Sequence, residues 1–538
     1  MPAVVFSAFG GELPAQDPRK LPDEAATVAR NCEQIGGRFA AYQGMTNVAG
    51  TLRSGHIRSI FEYAAGKVCS WNSIVRAIRS PLAQDAYDRL YYVGDNYPRV
   101  TRNDTIGTGA IPAASHKLGV PRPNAPAVSI NRNGATNTNT TDDRTIYYRV
   151  TYVTALGEEG PASLPSNQLT AWGAAAETVT ITVPNLASNP YNVNKGRVYR
   201  TATSGGLSAW LYVGEATLGS TVIDTNVADD SNLGPELATE DFYPPPENLA
   251  GLVALPGGIT LGFAGNELVP SEPYLPYAYP YRYRLSTNEQ IVALGVTSAG
   301  VVVATTGNPY LLTGISPDSL SLTRLDMAAA CVSARSMVDM GEFVVYASDE
   351  GLVAAGGNMP PKILTKEIWS LAQWKALKPS TIHAYRWNDK YLAFYGDTLD
   401  SGVGVGGFVF DPNTGDLRMI DTYATAGFTR PDTGDVMLVV GGALKLWASD
   451  VNRMVGRWRS RKVATPWTSF SAFRVIGEGM ANSTLRVFAD DALVLSADLS
   501  GDDITGRLPA VQGKDWQVEI EGRAPVSMIT LATSMSEL

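Results

Sequence analysis

The run Gly402-Val403-Gly404-Val405-Gly406-Gly407 meets the G-x-G-x-x-G spacing of a dinucleotide-binding turn. That chemistry needs the glycines between a strand and a helix N-terminus, where backbone amides meet a pyrophosphate. Here the next residues, Phe408-Val409-Phe410-Asp411, read as a strand, so the glycines read as a flexible loop. The histidines are His56, His116 and His383, with no H-x-x-x-H or similar metal-ligand spacing. His383 alternates with Tyr385 and Trp387, which suits a packed strand position. No nucleophile elbow, P-loop or zinc-binding Cys/His set is present. Acidic pairs occur at Glu158-Glu159, Asp229-Asp230, Asp490-Asp491 and Asp502-Asp503. A glycosidase would need two carboxylates about 5 to 9.5 Å apart across a cleft; all four pairs read instead as solvated turn acids. The expectation is no catalytic residue, no metal site and no cofactor, and a chain that is not an enzyme.

Two surface patches remain. Arg457, Arg459 and Arg461 alternate on one face of a strand beside Lys462; they could touch phosphate, or form an interface or internal salt bridges in an acidic chain. Tyr274, Tyr277, Tyr279, Tyr281 and Tyr283 lie in a proline-rich extended stretch, where they could anchor a subunit interface or pack a sheet edge.

At 538 residues the chain is long enough for two to four domains. Apolar residues make up 44% and charged residues 18%, enough to bury a core and far from a disordered composition. The net charge of −9 opposes long-range attraction to nucleic acid or anionic membrane. Three scattered cysteines give no disulfide framework and no C-x-x-C, which fits a reducing site of synthesis. The sequence shows no signal peptide, and no apolar run approaches the roughly 18 residues of a membrane span.

The elements that must carry these residues are strands. From residue 251 to 449 one phrase recurs: apolar strand, turn, apolar strand, polar exit. Copies begin near Leu252, Ile291, Met337, Ile382 and Phe428, a step of roughly 39 to 46 residues that suits four-stranded propeller blades. Turns such as Ser298-Ala299-Gly300, Asp349-Glu350-Gly351 and Asn388-Asp389 supply what tight hairpins need. The expected fold is all-β: a β-propeller, with residues 1–120 as an N-terminal arm and first blades and 247–456 as the remaining blades. Strict alternation over residues 145–153, with TVTITV, GRVYRTA and STVIDT following, marks residues 121–246 as an inserted immunoglobulin- or fibronectin-like β-sandwich. Residues 457–538 read as a C-terminal β-sandwich. Helices are expected at residues 23–30, led by Pro22, Asp23 and Glu24, and at residues 370–377, where Ser370 and Gln373 form a capping box.

The opening FGGELPAQDPRKLPDEAATVARN, the phrase YASDEGLVAAGG followed by LTKEIWSLAQWKALKPS, and the closing WRSRK and RLPA resemble tail nozzle proteins of short-tailed bacteriophages, also called tail tubular protein B or tail hub proteins. The resemblance spans most of the chain except the inserted sandwich. It implies a structural virion protein, assembled in the host cytoplasm into the virion tail. It also implies a homo-oligomeric ring of six copies below the portal and adaptor, forming the DNA exit channel. An acidic protein suits that role, because a lumen that bound phosphate strongly would hold the genome back. The partners so implied are further copies of itself, the head-to-tail adaptor or portal-side proteins, tail fibres, and viral DNA passing without sequence recognition. The alternative is a receptor- or glycan-binding tail protein without catalysis.

Overall fold

The computed structural model describes residues 3–172, 177–204, 207–225, 227–357, 359–397 and 404–538. Strand makes up 47% of the chain and helix 5%, so the fold is all-β.

Among the described residues, six small antiparallel sheets and the four-strand end of a ten-stranded sheet follow one another around a ring, and are counted as seven in chain order. The first pairs Ser59–Ala64 with Lys67–Trp71. The second holds Arg76–Arg79, Leu90–Val93, Arg99–Thr101 and His116–Lys117. After the insert come the third (Ala250–Ala254 to Leu285–Ser286), fourth (Ile291–Thr297 to Ser321–Arg324) and fifth (Val338–Asp339 to Met359–Ile363). The sixth runs from His383–Trp387 to Leu417–Ile420. The seventh takes Ala426–Thr429, Val436–Val440 and Ala443–Arg453, and its fourth strand, Gln43–Asn47, comes from the N-terminal region. The repeat starts read from the sequence fall within two residues of the first strands of sheets three to seven.

Neighbouring first strands touch in order from the second sheet to the seventh, and the seventh touches the first. The circle closes where the Ser59 hydroxyl accepts the Val75 N–H at 2.8 Å and donates to the Ser73 carbonyl. A separate apolar cluster fills each junction. Trp71 and Tyr92 lie between sheets one and two, Val344 and Val302 between four and five, and Trp387, Phe394 and Trp447 between six and seven. Burial on both faces explains why middle strands such as Leu352–Gly356 are apolar throughout rather than alternating. Each fully buried Val, Leu or Phe contributes about 1.5–3 kcal/mol.

The hairpins form where the turn residues permit. Asn388 and Asp389 take φ of 46° and 59°, the conformation that a two-residue connection between Trp387 and Lys390 requires. The helix Leu371–Ala376 starts at Ser370, whose hydroxyl accepts the Gln373 N–H while Gln373 Oε1 accepts the Ser370 N–H. Trp374, buried beneath it, donates to the Ser348 carbonyl at 2.9 Å.

The helix expected at residues 23–30 does not form. Ala26–Arg30 is a strand, paired antiparallel to Gly456–Ser460 and touching Met419 in parallel, so that it joins the sixth ring sheet to the C-terminal region. The Pro22-Asp23 signal is local, whereas Ala26 and Ala29 are fully buried in a core with Trp458, and tertiary pairing outweighs helix propensity. The C-terminal sandwich likewise extends beyond residues 457–538. Ala3–Phe6 pairs with Val526–Ala532, Phe39 of Arg38–Ala41 pairs with Val526, and Phe6, Phe9, Cys32 and Phe39 lie in its core.

The insert, between the second and third sheets, stacks the sheet Ala127–Asn131, Thr178–Thr182, Thr221–Asp224 on the sheet Tyr148–Thr154, Val193–Ser204, Leu207–Thr217. Tyr148, Val150, Ile181 and Val198 form its core.

Candidate functional site

The basic run lies mostly on the strand Gly456–Ser460, whose alternating faces place Trp458 inward and Arg457 outward. Arg457 Nη2 meets Glu519 at 2.9 Å, and this fully buried carboxylate also holds Arg486 at 2.8 Å. The Arg459 guanidinium lies 3.9 Å over the Phe488 ring. Arg461 pairs with Asp23, and Lys462 pairs with Asp491 at 2.6 Å. Each side chain therefore has a partner within the chain, and three of the four positive charges are balanced by carboxylates.

The tyrosine stretch divides. Tyr277 and Tyr279 are buried in the core at the junction of the second and third sheets and Tyr283 is buried beside Glu272 and Arg282, whereas Tyr274 and Tyr281 are 49% and 57% exposed. Any partner meeting this stretch therefore meets two rings, and Tyr281 is already stacked by Arg284 at 4.1 Å.

Of the four acidic pairs, Glu158-Glu159 departs from the sequence reading, whereas Asp229, Asp490, Asp491, Asp502 and Asp503 are exposed. Glu158 and Glu159 are each only 7% exposed, so they are not solvated turn acids. Glu158 meets Arg89 at 3.1 Å, fastening the insert to the second ring sheet, and burial raises its carboxyl above the usual range against that guanidinium. Glu159 accepts from Arg197, Thr151 and Tyr199. Arg89 and Arg197 are far away in sequence, so no local pattern exposes these pairs. Asp230 holds Arg200, Asp491 holds Lys462, and Asp503 holds Arg474. Gly402 and Val403 of the glycine run lie outside the described residues; Gly406–Phe410 is a strand, so no helix follows the glycines.

The cluster that sequence reasoning missed lies on the ring axis. Arg335, just before the fifth sheet, donates through Nη2 to the carbonyls of Arg58 at 2.8 Å and Thr425 at 2.7 Å, leading into the first and seventh sheets. Arg76, opening the second sheet, donates to the Ala334 carbonyl at 3.1 Å. These bonds join sheets that are not neighbours around the ring, and so they span its middle. Arg58 meets Asp397 at 3.0 Å and His56 lies 3.6 Å from the same carboxylate. His383 is 1% exposed, with Nδ1 3.3 Å from the Tyr385 hydroxyl. Burial, with Arg335 nearby, pushes the His383 imidazole well below its ordinary value, so it is neutral at pH 7. A cavity of about 90 Å³ opens beside the cluster, lined by Ile74, Arg76, Gly94, Gly251, Leu294 and Ala334 among others.

No family model and no curated protein matches the chain. Among solved structures, it is similar to BBS1N in complex with ARL6DN at 10% identity, covering 76% of this chain and 95% of that one with a TM-score of 0.30. It is also similar to BamB from Moraxella catarrhalis at 13% identity, covering 64% of this chain and 98% of that one with a TM-score of 0.23. For the extracellular domain of the putative hybrid two component system BT4673 from B. thetaiotaomicron the identity is 9%, the coverage 84% and 43%, and the TM-score 0.31. At these scores the architecture rests on the chain's own sheets.

Proposed function

We propose that the seven sheets are blades of a β-propeller, that residues 121–246 and 457–538 carry two appended sandwiches, and that the chain is a structural, non-catalytic virion protein. Its place is the nozzle ring of a short-tailed phage, in which copies of the chain surround the DNA exit channel beneath the adaptor. The observation that carries this reading is the interlacing of the N-terminal residues with everything that follows. Ala3–Phe6 adds to the C-terminal sandwich, Ala26–Arg30 bridges that sandwich to the sixth sheet, and Gln43–Asn47 closes the seventh. Opening the ring there means stripping a strand from its ladder, which suits a part held under the pressure of packaged DNA.

The conduit in this reading lies between copies rather than through one propeller, because Arg335 and Arg76 reach across the middle of the ring. An excess of acid, with 52 Asp and Glu against 43 Lys and Arg, disfavours retention of passing phosphates. The test is electron microscopy of the purified chain beside mass photometry, alone and with the adaptor protein. A closed homo-oligomer, six copies by the family resemblance, with a lumen wide enough for duplex DNA is the expected result. A monomer that joins neither its own kind nor an adaptor-bearing particle would overturn it, and specific glycan binding by that monomer would favour a receptor-binding tail protein instead.

A further inference from the structure

We infer, building on the ring of copies proposed above, that the copies join head to tail through one knob and one pocket: Trp467 of one copy enters the cleft between Ile35, Ala40 and Pro525 of the next. The knob is an exception within the chain. Of the ten tryptophans Trp467 alone is exposed, at 63%; Trp172 and Trp210 are half-buried beneath Arg132 and Arg149, and the other seven are buried. Trp467 belongs to the strand Val463–Thr468, in which Val463 and Thr465 are buried, so plain alternation would turn residue 467 inward as well. The ladder with Gly513–Gly522 shifts instead. Ala464 stands opposite Asp515 and Thr468 opposite Gly513, which leaves two extra residues on the tryptophan's strand. A bulge of this kind re-aims a side chain, and here it turns an indole out to water.

The pocket suits an indole. A cavity of about 330 Å³ is lined by Ile35, Gly36, Arg38, Ala40, Arg453 and Pro525. It has the volume of about eleven water molecules, more than an indole displaces. Ile35, on its apolar wall, is 49% exposed. Arg38 and Arg453 bring two guanidinium planes, which tryptophan holds better than any other ring; Trp and Arg together are the commonest anchors of protein interfaces. The charges match as well. Beside the knob, the Asp490 carboxylate accepts the N–H groups of Lys514 at 3.1 Å and Asp515 at 2.9 Å and has no cation within ion-pair distance among the described residues. At the pocket, Arg453 donates to the Ala41 carbonyl and has no carboxylate within that distance among the described residues. Seating Trp467 brings this acid and this base to the same contact.

Knob and pocket lie at opposite ends of one strand, Gly513–Gly522. Trp467 adjoins Thr468, which stands opposite Gly513. Pro525 follows Gly522, which stands opposite Gly456, and a Cβ at Gly456 would lie 3.0 Å from the Ala41 side chain. The ten residues of that strand hold the two ends roughly 30 Å apart. A copy therefore cannot fill its own pocket. One filled contact leaves a free pocket on one partner and a free knob on the other, so copies add until a ring closes.

Mass photometry of the full chain, with the adaptor protein where assembly requires it, tests the contact. Trp467→Ser and Ile35→Asp alter exposed side chains, so each variant should unfold at the native midpoint. Each alone should weaken association between copies about thirtyfold or more. An equimolar mixture of the two should recover a single contact, the intact knob of one variant in the intact pocket of the other, and give a 1:1 pair that grows no further. A photo-reactive benzophenone in place of Trp467 should label peptides carrying Ile35 or Pro525 of a second, isotope-labelled copy. Assembly by Trp467→Ser equal to that of the native chain, or labelling confined to other surfaces, would overturn the contact and leave the ring reading standing. A native chain that stays monomeric with and without the adaptor would overturn both.

Discussion

Replacing Glu12 by glutamine should make the N-terminal arm hold more tightly as the pH rises. Glu12 sits where the arm crosses the seam between the ring and the C-terminal sandwich. Its N–H donates to the Leu417 carbonyl at 2.8 Å, and its Oε1 accepts the Ala29 N–H at 2.6 Å. Burial raises the carboxyl from 4.5 to about 7, against the pull of the Ala29 amide, Arg30 and Arg418. The folded chain therefore holds this proton more tightly than the unfolded one, so stability is greatest below about pH 4.5 and declines until the pH passes about 7. At about 1.4 kcal/mol per tenfold change in proton affinity, the ionised carboxylate costs on the order of 3 kcal/mol. Glutamine keeps an oxygen for the Ala29 amide and cannot ionise. Hydrogen exchange of the arm peptides, read by mass spectrometry for both proteins at each pH, checks this. The ratio of arm protection in Glu12→Gln to that in the native chain should grow by about two orders of magnitude between pH 5 and pH 8. A ratio that stays constant would show that Glu12 is solvated and that the seam is looser than its hydrogen bonds imply.

Thr46→Pro should cost about 0.5–1.5 kcal/mol, because the Thr46 N–H donates to Ser449 Oγ at 3.1 Å within the edge strand that closes the seventh sheet; exchange protection should fall in Ala443–Arg453 but not in the insert. Asp224→Ala removes the buried carboxylate that Arg200 and Tyr148 share at 2.7 and 2.9 Å. A loss of about 3–5 kcal/mol is expected, seen as early melting of the insert by exchange or proteolysis. Gly300→Ala should cost more than about 1 kcal/mol, read as a lower unfolding midpoint, since Gly300 has φ of 147° and a Cβ there would lie 2.3 Å from the Leu312 carbonyl oxygen. The three cysteines are buried, and burial pushes the Cys32 thiol to about 11 and those of Cys69 and Cys331 to about 12. A thiol reagent at pH 8 should therefore leave the native chain almost unlabelled and modify all three in denaturant.

What the sequence made legible was short in range. A two-residue turn is encoded in the residues that make it, so Asn388-Asp389 could be read as a hairpin, and Ser370 and Gln373 as a helix start. The repeat was legible because each sheet buries both faces and so writes its middle strands as apolar runs. Pairing between distant strands leaves no such mark, since the ladder bonds are made by backbone that every residue carries. Residues 23–30 therefore looked like a helix until Gly456–Ser460 was set beside them. The same blindness hid the electrostatics. Glu158-Glu159 is an ordinary turn pair in sequence, and its burial depends on Arg89 and Arg197. Arg76 and Arg335 are unremarkable singly, and only the ring brings them across one axis.

The long-range pairings also determine what the ring can do. A ring of sheets in which each touches only two neighbours is only as strong as its weakest junction. Here the seventh sheet takes its last strand from the N-terminal region, and the sixth is continuous with the C-terminal sandwich through Ala26–Arg30. Arg418 reinforces the second of these joins: it is 2% exposed, pairs with Asp416 at 2.8 Å and donates to the Phe9 carbonyl at 2.8 Å. The arm approaches closely enough that a Cβ at Gly10 would lie 2.7 Å from the Glu24 carbonyl oxygen and one at Gly11 2.1 Å from Asp416. The glycines of the opening FGGELP segment are thus needed for close packing rather than for flexibility. That packing is what locks the ring to the sandwich where the two ends of the chain meet.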